Sequence, residues 1–308
     1  MKQCLPINQP RSLPGNMISI VAPDKDISPW LKAFADIAPD IEVSIWPEVD
    51  PRSELLMCWD PPADTFQKLP NLRVIYVMGA GIDAIQSHPN LPTHVPIERL
   101  KTAQLANDMF DYVFNCIETW RLGRHRYSSA IAWDPNPYRP RDDITICLLG
   151  LGNIGSFVAK QLDDAGYSVR GWSHSAKSLD GVTTFHSINT LVSAVRASDV
   201  LVCLLSLNKE TIDILDRQLL SQLNEQSCLI NVARGEHLVE EDLLTALNGP
   251  VEHAFLDVFR TEPLPADHPF WSHNQISITP HIASLTDPYS AVLEIVEFYH
   301  KHIHHTSR

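Results

Sequence analysis

From Asp143 onward, short apolar runs rich in β-branched residues alternate with segments of helical periodicity. Strands are predicted at ITICLLG, YSVRGW, DVLVCLL, SCLINVA, HAFLDVF and ISITPH, and helices between them at segments such as IGSFVAKQLDDAG and LVEEDLLTALNG. Strands that are apolar throughout are typical of a parallel sheet buried on both faces. Six strands joined by helical crossovers therefore predict a doubly wound α/β domain.

A second, smaller α/β unit is predicted before this domain. MISIVAP, IEVSIW, ELLMCW and LRVIYVMG have the pattern of buried strands, and SPWLKAFADIAP has that of a helix. The long helical segment TAQLANDMFDYVFNCIETWRLGRHRY joins the two units, and the final helix, DPYSAVLEIVEFYHKHI, is free to pack back on the first. We expect one domain over residues 17–101 and 285–308 and another over 102–284. Residues 1–16 show no periodicity and are expected to form a disordered lead.

Composition narrows the possible partners. The chain has 308 residues and a formal net charge of −13, which argues against a nucleic-acid or anionic-membrane partner. No run of eighteen apolar residues occurs, and the first residues lack the apolar core of a signal peptide, so we expect a cytoplasmic protein. The six cysteines are widely separated and are expected to be buried thiols. The tail YHKHIHH lacks a Cys or carboxylate at ligand spacing, so no metal site is expected.

The stretch LLGLGNIGSFVAKQL carries a GxGxxG pattern between a predicted strand and a predicted helix. In that context Gly150 makes the tight turn, Gly152 lets the backbone approach a pyrophosphate, and Gly155 lets the helix pack on the strand. The free N–H groups of the helix N-terminus face the phosphates. A tight turn without a ligand is the alternative. We expect a dinucleotide to contact Gly150, Gly152, Asn153, Ile154 and Gly155.

The end of the next strand indicates which dinucleotide is bound. An enzyme specific for NAD has an Asp or Glu there for the ribose 2′-hydroxyl. This chain has no carboxylate before Asp180 and instead offers hydroxyls and two potential cations, from Ser173, His174, Ser175 and Lys177. Such a set suits the 2′-phosphate of NADP. NADP is therefore favoured, NAD remains possible, and the alternative is a loop that is merely polar and exposed.

The motifs GLGNIG, NVARG, DVFRTEPLP and TPHIAS occur in this order, the last three just after the predicted fourth, fifth and sixth strands. In this the sequence resembles the D-isomer-specific 2-hydroxyacid dehydrogenases, most closely their glyoxylate and hydroxypyruvate reductase branch, from about Met17 to the last helix. The resemblance implies a Rossmann cofactor domain inserted into a smaller flavodoxin-like substrate domain. It also implies reduction of small 2-oxo acids.

The resemblance assigns roles to individual residues. Arg234 matches the substrate-binding arginine, whose planar fork suits a 2-oxo acid. Glu262 and His281 match the acid–base pair, with His281 as proton donor held in one tautomer by the carboxylate. Asp257 matches a contact to the nicotinamide carboxamide. In the smaller domain, substrate contacts are implied for the backbone of Gly79, Ala80 and Gly81 and for an aromatic wall at Trp59.

Structural interpretations remain open for each of these residues. Arg234 could form a surface ion pair, Asp257 could cap a strand end, and Trp59 could pack in the core. Glu262 could be a turn residue and His281 a residue at a strand end. The glycines at 79 and 81 make a turn in either case.

Two stretches depart from the family. LANDMFDYV stands where many members have a VAEH-like run, which puts a substrate or domain-closure role there in doubt. Asp287 places a negative charge where this branch often has a basic residue, so substrate preference could differ from glyoxylate.

Three functions remain to be separated. The leading hypothesis is an NADPH-dependent reductase of small 2-oxo acids. The others are a dehydrogenase of this family with a different substrate and a dinucleotide-sensing interaction protein like the corepressors that share the fold. The apolar pattern from Leu105 to Trp120, with the family's pairing through cofactor domains, also predicts a homodimer.

Overall fold

The structure, a computed structural model, describes residues 16–127, 131–133, 135 and 138–303. The predicted disordered lead, apart from Asn16, and the last histidines of the tail lie outside the described residues. The chain divides into two compact units, one of Met1–Thr102 with Thr286–Arg308 and one of Ala103–Leu285.

The described strands are β1 Met17–Val21, β2 Glu42–Ile45, β3 Leu55–Cys58, β4 Val74–Val77, β5 Ile97–Arg99, β6 Thr145–Leu149, β7 Ser168–Ser173, β8 Thr183–His186, β9 Val200–Cys203, β10 Ser227–Asn231, β11 Val251–Leu256 and β12 Ile276–Ile278. The described α-helices are α1 Ser28–Ile37, α2 Asp83–Gln86, α3 Ala103–Arg121, α4 Arg124–Tyr127, α5 Asn153–Asp164, α6 Leu191–Val195, α7 Arg217–Leu220, α8 Glu240–Ala246 and α9 Pro288–His302. Short 3₁₀ turns occupy Phe66–Lys68, Arg141–Asp143, Ile188–Thr190, Gly235–His237 and Pro269–Ser272.

The smaller unit is built on a five-stranded sheet in the order β2-β1-β3-β4-β5, with every neighbouring pair parallel. Helices α1 and α9 pack together, and the rings of Tyr76 on β4 and Phe298 on α9 meet at 5.4 Å. Leu56, Ile75 and Val77 point to the opposite face, into a cluster with Phe66. The last helix therefore packs with the first unit, as the sequence suggested.

The larger unit contains a seven-stranded parallel sheet in the order β12-β11-β10-β9-β6-β7-β8. Successive residues of a strand point to opposite faces of the sheet, so the central strands contribute side chains to two hydrophobic cores. Ile146 and Leu148 of β6 pack with α3 and α5, whereas Cys147 and Leu149 pack with α6, α7 and α8. Helices on both faces explain why these strands are apolar throughout. Two parallel-sheet α/β domains are thus present, as predicted.

The strand count of the larger unit was predicted wrongly. It has seven strands rather than six because β8, with the sequence TTFH, was not recognised. In the smaller unit β5, with the sequence IER, was missed in the same way. Both are edge strands of three or four residues that carry polar side chains and are not fully buried, so neither has the continuous apolar pattern of the interior strands. NVARG, DVF and TPH accordingly follow the fifth, sixth and seventh strands of the sheet.

The apolar stripe of α3 is used within the protomer. Its residues from Met109 to Trp120 that face the sheet belong to the buried cluster shared with β6 and α5. The stripe therefore gives no evidence for a dimer, contrary to our expectation. No helix among the described residues is long and apolar enough to cross a membrane.

Candidate active site

The glycine loop between β6 and α5 has no room for side chains at two of its three glycines. Gly150 has a φ of +107°, and a Cβ there would lie 2.6 Å from the carbonyl oxygen of Leu204. A Cβ on Gly155 would lie 1.8 Å from the carbonyl oxygen of Gly150. At Gly152, by contrast, a Cβ would meet no atom within 4 Å. The first and third glycines are thus required by the turn, whereas the second leaves open space beside the backbone.

That open space belongs to a cleft of about 680 Å³ in the larger unit. The glycine loop and the segment after β7 meet in it, and the loop after β9 forms a further wall. Its lining residues are Gly150, Leu151, Gly152, Trp172, Ser173, His174, Ser175, Lys177, Ser187, Ile188, Leu204, Leu205, Ser206, Asn208, Glu210 and Thr211. Asn153 and Ile154 are the first two residues of α5, directly after Gly152, but are not among the residues that line the cleft. The structure therefore brings together the two sequence segments predicted to bind a dinucleotide.

The residues predicted to hold a 2′-phosphate differ in exposure. Ser173 is buried, and its hydroxyl donates to the carbonyl oxygen of Ser175 at 2.8 Å, which shapes the loop. His174, Ser175 and Lys177 are exposed. Glu210, which the sequence analysis did not single out, lies with its carboxylate 3.9 Å from Nε2 of His174. The cleft thus offers hydroxyls and cations, with one carboxylate close to one of the cations.

Glu262 and His281 form a close pair after β11 and β12. Nδ1 of His281 lies 2.7 Å from Oε2 of Glu262, while Oε1 of Glu262 accepts the N–H of Phe259 at 2.9 Å. Both side chains line a pocket of about 410 Å³ whose remaining lining is apolar: Phe259, Pro263, Leu264, Trp271, Ile278 and Pro280. The carboxylate is fixed by the backbone and in turn orients the imidazole, so that Nε2 remains for chemistry.

His281 has a φ of +55°, which L-residues other than glycine rarely adopt. Asp257 fixes the backbone on both sides of it. The carbonyl oxygen of Asp257 accepts the N–H of His281 at 2.8 Å, and the carboxylate accepts the N–H groups of Ile282 and Ala283 at 2.8 and 2.9 Å. Backbone strain persists where surrounding contacts compensate for it, and this buried carboxylate supplies them. Asp257 therefore supports the loop that carries His281.

A chain of hydroxyl groups continues from this carboxylate. Thr279 Oγ1 lies 2.6 Å from Oδ1 of Asp257 and 2.5 Å from Oη of Tyr112 on α3. Because a carboxylate only accepts, Thr279 donates to Asp257 and accepts from Tyr112. Burial raises the pKa of Tyr112, so its proton stays available for this bond. The loop of His281 is therefore tied to helix α3.

Arg234 follows β10, at the start of the turn Gly235–His237. Its Nη1 donates to the carbonyl oxygen of Ala233 at 2.6 Å, and its own carbonyl oxygen accepts Nδ2 of Asn231 at 3.0 Å. Nδ1 of His237, which is fully buried, lies 3.2 Å from the same carbonyl. Burial lowers the pKa of His237, so at neutral pH this ring is uncharged beside the arginine.

The turn after Arg234 is also tied to the segment that leads to Glu262. A Cβ on Gly235 would lie 1.9 Å from the backbone carbon of Phe259, so the two segments touch directly. Nε of Arg260 donates to the carbonyl oxygen of Leu238 at 2.8 Å, and its Nη2 pairs with Asp213. Arg234 and the Glu262–His281 pair therefore belong to neighbouring, mutually braced loops at the carboxyl edge of one sheet.

The remaining predicted residues lie in the smaller unit. Trp59 follows β3 and is half-buried, and Gly79, Ala80 and Gly81 follow β4. A Cβ on Gly79 would lie 2.9 Å from Cζ3 of the Trp59 ring, so the indole packs on the glycine backbone. This contact joins the predicted aromatic wall to the predicted substrate loop.

Residues 119–283 match the NAD-binding domain of the D-isomer specific 2-hydroxyacid dehydrogenases. The chain is 37% identical over 281 residues to glyoxylate/hydroxypyruvate reductase A of Yersinia enterocolitica, covering 87% of this chain and 88% of that protein. It is 36% identical to the enzyme of the same name from an Enterobacter species, covering 89% and 90%. The chain belongs to the D-isomer-specific 2-hydroxyacid dehydrogenase family.

Solved structures of the family agree in fold. A 2-hydroxyacid dehydrogenase of Xanthobacter autotrophicus in complex with NADPH superposes with a TM-score of 0.90 at 30% identity, covering 96% of each chain. The NADPH-dependent glyoxylate/hydroxypyruvate reductase of Sinorhizobium meliloti, in complex with NADP and sulfate, gives 0.86 at 26% identity, covering 93% and 95%. The larger unit therefore contains the NAD-binding Rossmann domain of this family.

The two departures from the family's usual sequence have structural uses here. Asp287 caps α9, because its carboxylate accepts the hydroxyl and the N–H of Ser290 at 2.7 and 2.8 Å. These two bonds lower the pKa of Asp287. Within LANDMFDYV on α3, Asp108 accepts the side-chain amide of Gln104. Any effect of either residue on substrate preference stays a prediction.

Sequence reasoning missed Tyr112, Thr279, Arg260 and Glu210. The first three act on the site through other residues. Thr279 and Arg260 lie inside the motifs TPHIAS and DVFRTEPLP, which were the available signal for them, whereas Tyr112 lies in no motif of the site. Glu210 follows β9 at the carboxyl edge of the sheet, where ligands of doubly wound folds bind, and that position was the available signal.

Proposed function

We propose that the protein is an NADPH-dependent reductase that converts small 2-oxo acids, such as glyoxylate and hydroxypyruvate, into 2-hydroxy acids. The observation that carries the proposal is the Glu262–His281 contact at 2.7 Å on a braced loop of a dinucleotide-binding domain. The relatives named above, whose names state this activity, support the same conclusion.

NADPH fits the larger unit because the cleft beside Gly152 is open and is flanked by His174 and Lys177. Structural neighbours bound to NADPH or NADP support this choice. NAD remains possible, since the carboxylate of Glu210 lies 3.9 Å from Nε2 of His174 and would repel a 2′-phosphate bound there. When bound, NADPH supplies the hydride.

The protein's own residues would supply the proton and the orientation of the substrate. His281, held through Nδ1 by Glu262, gives a proton from Nε2 to the carbonyl oxygen of the substrate. Reduction needs this proton on the imidazole, and oxidation of the hydroxy acid needs the neutral ring to accept one.

Roles in substrate binding are proposed for residues of each unit by itself. Arg234 would pair with the carboxylate and carbonyl of the 2-oxo acid, and the backbone N–H groups of residues 79–81 would bind the carboxylate. Trp59 would cover the substrate. Residues 17–101 with 285–308 would then serve as the substrate domain and residues 102–284 as the cofactor domain.

Asp257 is also proposed to contact the nicotinamide carboxamide, through only one of its carboxylate oxygens. Its Oδ1 accepts Thr279 Oγ1 and the N–H of Ile282, whereas Oδ2 accepts the N–H of Ala283. A carboxylate oxygen has two lone pairs, so Oδ2 retains one acceptor position for a carboxamide. Asp257 would then support His281 and bind the cofactor at once.

We further propose a cytoplasmic homodimer. The five described cysteines are buried thiols, which suits a reducing compartment. Ile131 and Trp133 are almost fully exposed at 103% and 98%, and exposed apolar groups of this size are typical of contact surfaces. Light scattering should give twice the 34.6 kDa mass of one chain, and a mass near 35 kDa at every concentration would contradict the dimer.

The test of function is steady-state oxidation of the cofactor with a panel of 2-oxo acids, measured with NADPH and with NADH. We expect turnover of glyoxylate and hydroxypyruvate and a clearly higher kcat/KM for NADPH. Turnover of other 2-oxo acids alone would indicate a family member with a different substrate. Cofactor binding without turnover of any acid would favour the dinucleotide-sensing interaction protein.

A further inference from the structure

The strand order of the smaller unit places a switch point at the carboxyl edge of its sheet, between β1 and β3. After β1, the chain passes through α1 to β2, which pairs with one side of β1. It then crosses to β3, which pairs with the other side of β1. Connections that diverge in this way open a crevice outside the carboxyl ends of the two strands, where α/β proteins bind ligands. The loop after β1 and Trp59 after β3 lie at this point, next to each other, because Trp59 N–H donates to Val21 at 2.9 Å.

Lys25, in the loop after β1, places its ammonium group over the indole of Trp59, 4.1 Å from the ring centroid. The edge of the same ring packs on Gly79, the first residue of the proposed substrate loop. Lys25, the Trp59 indole and the loop of residues 79–81 are therefore contiguous.

This ammonium group has an available positive charge. Among the described residues no carboxylate forms a salt bridge with it, although Asp24 and Asp26 flank it in sequence and Asp26 accepts the N–H of Ser28 instead. Lys25 is exposed as a whole, and the part of it that is covered lowers its pKa. In a chain with a net charge of −13, a lysine that forms no salt bridge with the described residues and lies at such a switch point is suited to an anionic ligand.

We propose that Lys25 binds a second anionic group of the substrate, so that the enzyme reduces 2-oxo acids that carry a distal carboxylate or phosphate. The inference rests on the proposed reductase function and deepens it. The carboxylate next to the reacting carbonyl would be bound by the backbone of residues 79–81, and the distal anion by Lys25. Trp59 would hold the lysine in place through its ring face.

The first test compares substrates of equal length with and without the distal anion. Oxaloacetate, 2-oxoglutarate and 2-oxoadipate are each paired with the 2-oxo monocarboxylate of the same carbon number, and 3-phosphohydroxypyruvate with hydroxypyruvate. If substitution of Lys25 affects the dicarboxylate pairs, the distal anion is a carboxylate; if it affects the pair with 3-phosphohydroxypyruvate, the distal anion is a phosphate. The variants are Lys25→Met, which keeps an apolar stem against the indole, Lys25→Arg, which keeps the charge, and Lys32→Met, an exposed lysine of α1 as control.

We expect the ratio of kcat/KM for the dianionic over the monoanionic acid to fall about tenfold in Lys25→Met for at least one pair. The ratio should be largely kept in Lys25→Arg and unchanged in Lys32→Met. An unchanged ratio in Lys25→Met overturns the proposal. So does an equal loss for both acids, because the lysine would then act only by holding Trp59.

The second test does not depend on turnover. The same acids are titrated calorimetrically into the NADP⁺ complexes of the wild type and of Lys25→Met. In each pair the variant should bind the dianionic acid more weakly than the wild type does and the monoanionic acid equally well. If the wild type reduces none of the 2-oxo acids, the reductase proposal fails while this titration still decides the role of Lys25. Equal affinities in wild type and Lys25→Met overturn that role.

Discussion

Replacing Thr279 with valine is expected to loosen the loop that carries His281. Valine has nearly the shape of threonine but lacks the hydroxyl, so Asp257 loses one donor and Tyr112 loses its acceptor. A hydrogen bond to a charged group contributes about 1.5–3 kcal/mol and a neutral one about 1 kcal/mol. We therefore expect the free energy of unfolding of the larger unit to fall by about 3 kcal/mol.

The same substitution should also affect turnover, because the φ of +55° at His281 is supported by the carboxylate that loses its donor. We expect kcat to fall about tenfold.

Urea unfolding and steady-state kinetics of Thr279→Val and Thr279→Ser measure both effects. Serine keeps the hydroxyl and serves as the matched control, with most of the turnover retained. If valine and serine variants have equal stability and equal kcat, the hydroxyl chain does not support His281 and the reasoning is refuted.

Three further predictions follow from single side chains. Arg234→Gln removes the planar fork, so KM for the 2-oxo acid should rise and kcat fall; unchanged kinetics would remove Arg234 from the site. Glu210→Gln removes the carboxylate beside His174, so KM for NADPH should fall two- to fivefold and that for NADH should not; equal changes for both cofactors would contradict it. Burial lowers the pKa of His253 to about 4, below the ~6.5 of an unfolded chain, so the unfolded state binds the proton first and stability is lost as pH falls from 6.5 to 4. Urea titrations of wild type and His253→Gln between pH 7.5 and pH 5 should show a loss that is about 2 kcal/mol larger in the wild type, and parallel losses in both proteins would refute the assignment.

The parts of the candidate site that could be predicted from the sequence are those that carry a recognisable local motif. The glycine loop and the segment from Ser173 to Lys177 line one cleft, and Glu262 contacts His281, although nineteen positions separate them. Both results follow from parallel strands, whose carboxyl ends meet at one edge. The cap at Asp287 was also readable, since Asp-Pro-Tyr-Ser has an N-cap residue, a proline and a serine at helix-start spacing.

Other features depend on contacts that one sequence does not display. The stripe of α3 is apolar whether it faces a sheet or a second protomer, and only the fold shows that Val113 and Ile117 lie in the core. The bonds from Tyr112 to Asp257 join residues from three separate segments. Short edge strands such as β8 follow from pairing with a neighbour rather than from their own pattern.

The central claim is that His281 gives the proton in an NADPH-dependent reduction of a 2-oxo acid. Its most direct test is the loss of NADPH absorbance with glyoxylate, compared between wild type, His281→Ala and His94→Ala, an exposed histidine of the smaller unit. A positioned general acid contributes about 10²–10⁴-fold, so His281→Ala should lose a factor in this range in kcat, while His94→Ala keeps the wild-type rate. A His281→Ala variant that turns over glyoxylate at near-normal kcat would contradict the account.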